Sequence, residues 1–598
     1  GGTWHNSDIL AMELVTTRTA LDEASSNHDF MIANYVATAS REIETGKTEG
    51  PYAYVIPSAQ RDYPTAARMM NILIEQGMEI HQARSAFTAG ARSYPAGSWV
   101  VLMSQPFRAN AKCLFEAQHY PDRRLYPGGP AEPPYDVAGW TLPMQMGVDY
   151  DQIDGAFQAD LIRVKSASVS TQPAPSGPTP VSDAFYVSPD TNNSFLLVND
   201  LLKAPELYRV FRLSASSTTG RLDLHAGGFI VQLKAESKGK GKSAAIASQV
   251  ADVGKFLSQA ESLGIAPVPL KSGQVPAGAV QLRLPRLALY KSWVASMDEG
   301  WTRWILEQFG FQYTSITDED IRSGNLKTRF DVVIIPDESA EQIVKGNRAG
   351  SYPTEFTGGI GDAGLANLKT FVESGGTLVC LDTASDLALE NFNLPVKNVL
   401  EGLRSNQFYA PGSIFRATVD QGSPIAYGMP QEADLYFVSG TRRGPARPPA
   451  AGGQTSILNV PIVSVPGAVR SNSMFPLGAG LLTIPSVAAV EDESQSSSRP
   501  REPGQRNAQS EEQAPLVSAF AFDITDPAHA RSVVRYIDDD PLRSGWLLGP
   551  KYIEGKSALV DAEMGRGQVV LIGFRTQHRA QTWGTFKFLF NSIYLGQK

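Results

Sequence analysis

The stretch DVVIIP at residues 331–336 decides the fold class, because four consecutive β-branched residues without polar interruption are typical of a strand buried on both faces. Arg286–Tyr290 (RLALY) has the same character. Thr377–Leu381 is a third such stretch and directly follows the glycine pair that ends a helix predicted over 363–373. A helix containing Trp301 is predicted between the first two strands. Buried strands alternating with helices predict a parallel α/β sheet.

The same section closes on the strand Gly567–Phe574 and a helix around Phe586–Tyr594. We therefore predict one domain over residues 285–598. Two polar inserts interrupt it, at 441–454 and 491–515. The second has almost no apolar residue, so it is predicted to be disordered.

Upstream, strand and helix patterns predict one or two small parallel α/β units, at 49–165 and 183–284. The second resembles a copy of the first, although any two strand–helix–strand units look alike. A Pro/Ser-rich linker at 166–182 separates them. Residues 1–48 have helical spacing and are predicted to be a short helical segment.

Composition excludes several classes of protein. The chain has 598 residues, a net charge of −8 and no recurring basic cluster, so no nucleic-acid partner is predicted. No apolar run reaches the ~18 residues that a membrane span needs. The two cysteines, Cys113 and Cys380, do not indicate a disulfide framework.

No metal ligands are predicted. A hydrolytic zinc site needs three protein ligands and an open position for water. None of the seven histidines begins His-x-x-Glu. His5/Asp8 and His119/Asp122 have a related spacing, but Pro121 breaks the second pair, and an ordinary loop histidine explains both better.

From Leu287 onward the chain resembles the class I glutamine amidotransferase-like fold, a flavodoxin-like sheet. That family's nucleophilic cysteine lies on a tight turn after a central strand, which here corresponds to Asp382–Ser385. Cys380 falls inside the predicted strand, where its sulfur is expected to be buried and unreactive. No Gly-x-Ser-x-Gly turn is visible either. We therefore predict no catalytic residues.

One charged set follows the first and last strands of this domain, at the edge where open α/β sheets bind ligands. Its members are Lys291, Asp298, Glu299, Arg303, Arg575 and Arg579. Two interpretations stay open. The set binds a small acidic or sugar-like ligand or an adjoining domain, or its charges pair with one another and hold the loops.

Six segments together resemble the region behind the catalytic domain in bacterial carboxypeptidase A-like zinc peptidases. They are GGTW (1–4) running into a helix, YVIPSAQRDYPTAARM (54–69), YPAGSWVVLMSQPFRANAK (94–112), PYDVAGWTLPMQMGV (134–148), MDEGWTRWILEQFGF (297–311) and GFRTQHRAQTWGTFKFLFN (573–591). The resemblance implies a secreted or periplasmic parent whose zinc and catalytic residues precede Gly1. The start at Gly1 is accordingly expected to be that of a processed or truncated product.

The leading hypothesis is a non-catalytic accessory or assembly region of a zinc metallocarboxypeptidase, with no cofactor of its own. Its expected partners are the parent's peptidase domain, the parent's peptide substrate and further copies of this chain. The alternatives are a ligand-binding amidotransferase-like module and, behind it, a stand-alone hydrolase on that scaffold.

Overall fold

The computed structural model describes residues 4–169, 182–219, 222–234, 242–271, 275–442 and 514–597. The predicted linker at 166–182 and the predicted inserts at 441–454 and 491–515 therefore lie outside the described residues, apart from their ends. One such end, Ala514, is buried.

Two long helices form the N-terminal segment, α1 (Asn6–Ser26) and α2 (His28–Thr48). No residue of α1 is buried, and in α2 only Gly46 is. A Cβ on Gly46 would lie 2.0 Å from the Met103 carbonyl oxygen, so this glycine lets the end of α2 approach the following unit closely.

The next unit carries a five-stranded sheet. Its elements are β1 (Ala53–Ile56), α3 (Tyr63–Glu75), β2 (Ile80–Ala83), β3 (Phe87–Ala89), β4 (Arg92–Tyr94), β5 (Trp99–Leu102), α4 (Arg108–Phe115), α5 (Leu142–Met146), β6 (Asp151–Ile153) and β7 (Leu161–Val164).

The prediction of a parallel sheet in this unit is wrong. The strand order is β6-β1-β5-β2-β7, and every neighbouring pair is antiparallel. Helix α3 crosses from β1 to β2 and leaves a gap one strand wide, which β5 fills after the β3–β4 hairpin. β1 and β2 therefore run in the same direction but are not neighbours in the sheet. The alternation of strands and helices in a sequence does not show which strands are neighbours.

The second small unit has the same arrangement. Its elements are β8 (Ala184–Val187), α6 (Asn192–Leu202), β9 (Tyr208–Leu213), β10 (Ser217–Thr219), β11 (Leu222–Leu224), β12 (Phe229–Leu233), α7 (Lys242–Ser262), β13 (Val268–Pro269) and β14 (Ala279–Gln281). The order β13-β8-β12-β9-β14 is antiparallel throughout, so the parallel prediction is wrong here too, for the same reason. Duplication of one unit from the other stays a prediction.

The remaining elements build a sheet of twelve strands. They are β15 (Leu287–Tyr290), α8 (Met297–Gln308), β16 (Tyr313–Ile316), α9 (Asp318–Arg322), α10 (Leu326–Arg329), β17 (Val332–Ile335), α11 (Ala340–Lys345), α12 (Gly361–Glu373), β18 (Thr377–Leu381), α13 (Ser385–Asn391), β19 (Val396–Asn398), β20 (Ser413–Val419), β21 (Glu432–Phe437), β22 (Gly440–Arg442), β23 (Leu516–Ser518), β24 (Phe522–Ile524), β25 (Ala530–Tyr536), β26 (Leu542–Ser544), β27 (Ser557–Met564), β28 (Gly567–Ile572) and α14 (Phe586–Leu595). β22 and β23 pair apart from this sheet.

Five of the twelve strands form a parallel part of this sheet, and the other pairings are antiparallel. Strands β16-β15-β17-β18-β28 are parallel neighbours in that order. From β28 the sheet continues antiparallel through β27, β25, β20 and β21. Strands β15, β17 and β18 are buried along their whole length, as their unbroken apolar sequences predict. The chain is thus a mixed α/β protein.

The final helix joins the units. Every residue of α14 is buried, and the Phe590 ring lies 5.4 Å from Phe195 of the second unit and 5.1 Å from Phe311. Lys587 of α14 is 3.7 Å from the Asp62 carboxylate of the first unit. One hydrophobic cluster therefore runs through all three units.

Candidate functional site

Four loops meet where the parallel strands end. The segments after β15, β17, β18 and β28 carry Asp298 (at the start of α8), Asp337, Asp382 and Arg575 respectively. Because carboxyl ends of parallel strands share one edge of a sheet, residues far apart in sequence are brought together there. This edge is the candidate site.

Arg575 is the centre of the site. Its Nη1 lies 2.7 Å from Asp298 Oδ2, its Nη2 2.5 Å from Asp337 Oδ2 and its Nε 2.5 Å from Asp382 Oδ2. The arginine side chain is 18% exposed, and those of the three aspartates 16% or less. We call these four residues the arginine hub. Each nitrogen of the guanidinium lies within 2.7 Å of an aspartate oxygen, so three carboxylates surround one cation.

The hub carries more negative than positive charge. Burial raises the pKa of Asp382 to about 7, with Arg575 opposing the rise and Asp337 and Asp298 adding to it. Burial also raises the pKa of Asp298. Conversely, burial disfavours the charged form of Arg575, but its three carboxylate partners outweigh burial and raise its pKa. The single positive charge of Arg575 therefore does not fully compensate the three carboxylates around it.

The turn after β18 has an unusual backbone. Asp382 has φ +48°, in the left-handed region that non-glycine residues rarely adopt. The Asp337 carboxylate holds the turn by accepting hydrogen bonds from the Thr383 backbone N–H, at 3.0 Å, and from the Thr383 hydroxyl. This strained turn carries the Asp382 carboxylate and the Thr383 hydroxyl, and no thiol, at the edge of the sheet.

Cys380 does not reach this edge. It lies inside β18, opposite Ile335 on one side and Leu571 on the other, and is fully buried. Burial raises the pKa of its thiol to about 12. The thiolate that nucleophilic catalysis needs is therefore absent at neutral pH.

The charged set predicted from the sequence is divided by the structure. Asp298 and Arg575 meet in the hub. Glu299 instead pairs with Arg303 on α8, at 3.5 Å, and Lys291 is exposed. Arg579 donates two hydrogen bonds of 2.8 Å to Asp136 of the first small unit, so it joins two units.

Sequence reasoning missed Asp337, Asp382 and Asp136. Asp337 directly follows the stretch DVVIIP, and Asp382 directly follows Leu381. Their position after a predicted strand was the available signal. Asp136 has no such signal, because its pairing depends on how two units pack.

A cavity of about 910 Å³ opens beside the hub. It lies between the start of α8, the loop after β17 and helices α11, α12 and α13. The carboxylates in its lining are Asp298, Asp337, Glu338, Glu341, Asp362 and Glu390. Its single lysine, Lys345, is paired with Glu341 at 2.9 Å. The lining is therefore strongly acidic.

Glu338 differs from the other carboxylates of this lining. It is 7% exposed, and among the described residues its Oε1 has no hydrogen-bond partner. Burial raises its pKa to about 7, with Asp318 and Asp337 adding to the rise and the Ser292 hydroxyl opposing it. A buried acceptor without a donor is costly, since buried polar groups are normally hydrogen-bonded.

The described part of the chain shows neither a cluster of metal ligands nor a long apolar helix. No three or more His, Cys, Asp or Glu side chains in it come close enough to hold a metal ion. No helix in it combines the length and apolar character that crossing a membrane requires.

No family model matches this sequence, and no curated protein does. Among solved structures, a cytoplasmic protein from Salmonella typhimurium aligns with a TM-score of 0.25 and 12% identity, over 52% of this chain and 97% of its own. A putative ThuA-like protein from Bacteroides uniformis aligns with a TM-score of 0.24 and 8% identity, over 52% and 93%. A β-galactosidase from Rahnella aligns with a TM-score of 0.23 and 9% identity, over 58% and 34%. At such scores none of these supports an argument about activity.

Proposed function

We propose that this chain is a non-catalytic accessory and assembly region of a secreted zinc metallocarboxypeptidase. One observation carries the non-catalytic part. On an amidotransferase-like sheet, the nucleophile is expected on the turn after the central strand, and here that turn presents Asp382, already paired with Arg575. The cysteine two residues earlier is buried inside the strand.

We infer further that the last domain is flavodoxin-like. The parallel order β16-β15-β17-β18-β28 supports this, because it corresponds to the 2-1-3-4-5 order of flavodoxin-like sheets. The antiparallel strands beyond β28 extend that arrangement. A ligand-binding or silent site at the carboxyl edge is compatible with such a sheet, since the fold alone does not determine the activity.

Helices α1 and α2 support the assembly part of the proposal. Their large apolar side chains are exposed, at 56% for Leu14, 65% for Val15, 71% for Phe30 and 61% for Ile32. Apolar residues on several sides of a helix are typical of a helix that is covered by a partner. The parent's peptidase domain is the occupant we propose for this surface, with a second copy of the chain as the rival.

The test begins with the reading frame. We expect a His-x-x-Glu with a later His to be encoded before Gly1, and its domain, expressed separately, to bind this chain in calorimetry. Phe30→Glu should weaken that binding at least ~10-fold, because it places a charge in an apolar contact. Thr38→Glu, an exposed polar position of the same helix, is the matched control. An upstream frame without the motif, or a domain that does not bind, contradicts the proposal.

A second candidate function is ligand binding in the acidic cavity. The observation that favours it is the acidic lining of the cavity, which holds six carboxylates and one lysine. The volume of about 910 Å³ is in the range of small-molecule sites. This role is compatible with an accessory region that presents a ligand to its parent enzyme.

A further inference from the structure

We propose that a cavity between the first small unit and the antiparallel strands of the last domain binds a free amino acid with an apolar side chain. The cavity has a volume of about 530 Å³, which is in the range of small-molecule sites. It shares no lining residue with the acidic cavity beside the hub. The proposal goes beyond the accessory role and does not depend on it.

The walls of this cavity are fixed by close packing and hydrogen bonds. Gly147 ends α5 with φ +64°, and a Cβ on it would lie 2.8 Å from the Gly584 Cα, so the two segments touch through glycine. The Gln60 amide accepts a hydrogen bond of 3.0 Å from the Asp149 N–H and donates one of 2.9 Å to the Asp149 carbonyl. Strands β20, β21 and β26 supply the remaining charged side chains. Walls held in this way lower the cost of ordering a bound ligand.

Two arginines of the lining already have partners. The Arg543 Nε lies 3.3 Å from Asp434 Oδ1, and the Arg61 guanidinium is paired with Asp190. A ligand therefore has to be recognised by the charges that remain.

Unpaired charges of both signs remain in the lining. Arg416 lies across from Asp434 on the neighbouring strand and acts on its charge, but among the described residues the Arg416 guanidinium forms no ion pair or hydrogen bond. Glu432 and Asp149 are exposed carboxylates that likewise have no ion-pair partner in the described part of the chain. One cation and two carboxylates are thus available to a ligand.

A ligand with both charges matches this lining better than a simple ion. An anion alone would face Glu432 and Asp149, whereas a cation alone would face Arg416. A free amino acid carries a carboxylate and an ammonium group on one carbon. Its carboxylate can accept two parallel hydrogen bonds from the guanidinium, and its ammonium group can donate to the carboxylates.

The uncharged part of the lining indicates the kind of side chain. It consists largely of apolar groups, contributed by Pro143, Met144, Val148, Tyr150 and Pro430. An apolar side chain packed against them is removed from water, which favours binding. Leucine is therefore the probe we choose.

The experiment is calorimetric titration of the whole chain with leucine at pH 7. Leucine should bind, and N-acetyl-leucine and leucinamide, which lack the ammonium and the carboxylate charge respectively, should each bind at least ~10-fold more weakly. Aspartate should also bind more weakly, because its side chain is charged. Arg416→Gln should weaken leucine binding at least ~10-fold and abolish the preference for leucine over leucinamide. Arg209→Gln, at an exposed position of strand β9, is the matched control and should leave the affinity unchanged.

The double variant Asp149→Asn, Glu432→Gln changes only exposed side chains and provides a second test should Arg416→Gln fail to fold. It should weaken leucine binding at least ~10-fold and abolish the preference for leucine over N-acetyl-leucine. Absence of leucine binding overturns the proposal, and so does equal binding of N-acetyl-leucine or leucinamide. Tighter binding of aspartate overturns the apolar specificity, and unchanged affinity in both folded variants overturns the location. Each of these outcomes leaves the accessory role to its own test.

Discussion

At the scale of single residues, the site is governed by how few cations face its carboxylates. Arg575 serves three aspartates, and Glu338 next to them has an oxygen without a donor. Charges of this kind are tolerated in an interior only when they are paired or partly protonated. We therefore expect Arg575 to be required for the stability of the folded chain.

Arg575→Met should lower the free energy of unfolding by about 3–5 kcal/mol at pH 8, because it leaves three buried carboxylates without their cation. The loss should be smaller at pH 5, where protonated aspartates no longer need one. Urea unfolding at both pH values measures it. Arg303→Met, which breaks the more exposed pair with Glu299, should cost less than ~1 kcal/mol. Equal losses for the two variants would contradict the hub.

Glu338 should make stability depend on pH. Its pKa of about 7 in the folded chain lies above the ordinary 4.5, so the folded state holds more protons than the unfolded one between these values. The free energy of unfolding therefore falls as the pH rises through this window. Glu338→Gln removes that contribution and should gain on the order of 1–3 kcal/mol at pH 8 and almost nothing at pH 4.

The measurement is urea unfolding of the unchanged chain and of the Glu338→Gln variant between pH 4 and pH 8. Tyr290, Ser292, Asp318 and Asp337 interact with the Glu338 carboxyl, so the difference between the two chains reports the ionisation of Glu338 together with its coupling to these groups. Glu341→Gln, at an exposed carboxylate, should show no such dependence. A difference that does not change with pH would contradict the burial of an ionisable Glu338.

The two cysteines provide an internal comparison. Cys380 is buried and Cys113 is exposed. In the native chain a thiol reagent should label Cys113 rapidly and Cys380 only after unfolding, because burial protects the sulfur and keeps it protonated. Cys380→Ala should cost on the order of 1 kcal/mol through the cavity it leaves. Rapid labelling of Cys380 would contradict its assignment as a core residue.

At the scale of elements, helix α14 holds the chain together through polar as well as aromatic contacts. The Asn591 amide donates to the Ile425 and Tyr427 carbonyls, at 2.9 and 2.8 Å, and its oxygen accepts from Arg212. Arg212 is buried, and its guanidinium lies over Tyr427 and Tyr594 at 5.0 and 5.6 Å. One amide thus connects the last helix to the second small unit.

Asn591→Ala should lower the free energy of unfolding by about 2–4 kcal/mol, since it leaves two carbonyls and a buried guanidinium without a partner. The neighbouring Ser592→Ala is the matched control. Its hydroxyl donates only to the Phe588 carbonyl within the same helix, so its loss should cost less than ~1 kcal/mol. Thermal and urea unfolding compare the two. Similar costs would mean that the Arg212 contact contributes little.

At the scale of the whole molecule, the histidines are too scattered to form a metal site. The purified chain is therefore expected to retain no stoichiometric zinc after dialysis, because isolated ligands bind zinc weakly and without specificity. Elemental analysis measures this, and the peptidase domain expressed from the same reading frame is the positive control. One tightly held zinc per chain would contradict the prediction.

The sequence by itself determined the buried strands and the helices between them, because unbroken apolar runs and glycine stops are local signals. It also located the two ends of the hub, Asp298 and Arg575, after the first and last strands of the sheet. Only the tertiary structure decided which strands are neighbours. In the small units β5 enters between β1 and β2, a long-range pairing that no local pattern encodes.

The same limit applies to the site. The sequence could not tell that Arg579 would reach Asp136 of another unit while Glu299 paired along its own helix. Nor could it show that six carboxylates from separate segments would line one cavity. Charge pairing depends on distances of a few ångströms between residues far apart in the chain, and those distances are set by packing, not by sequence spacing.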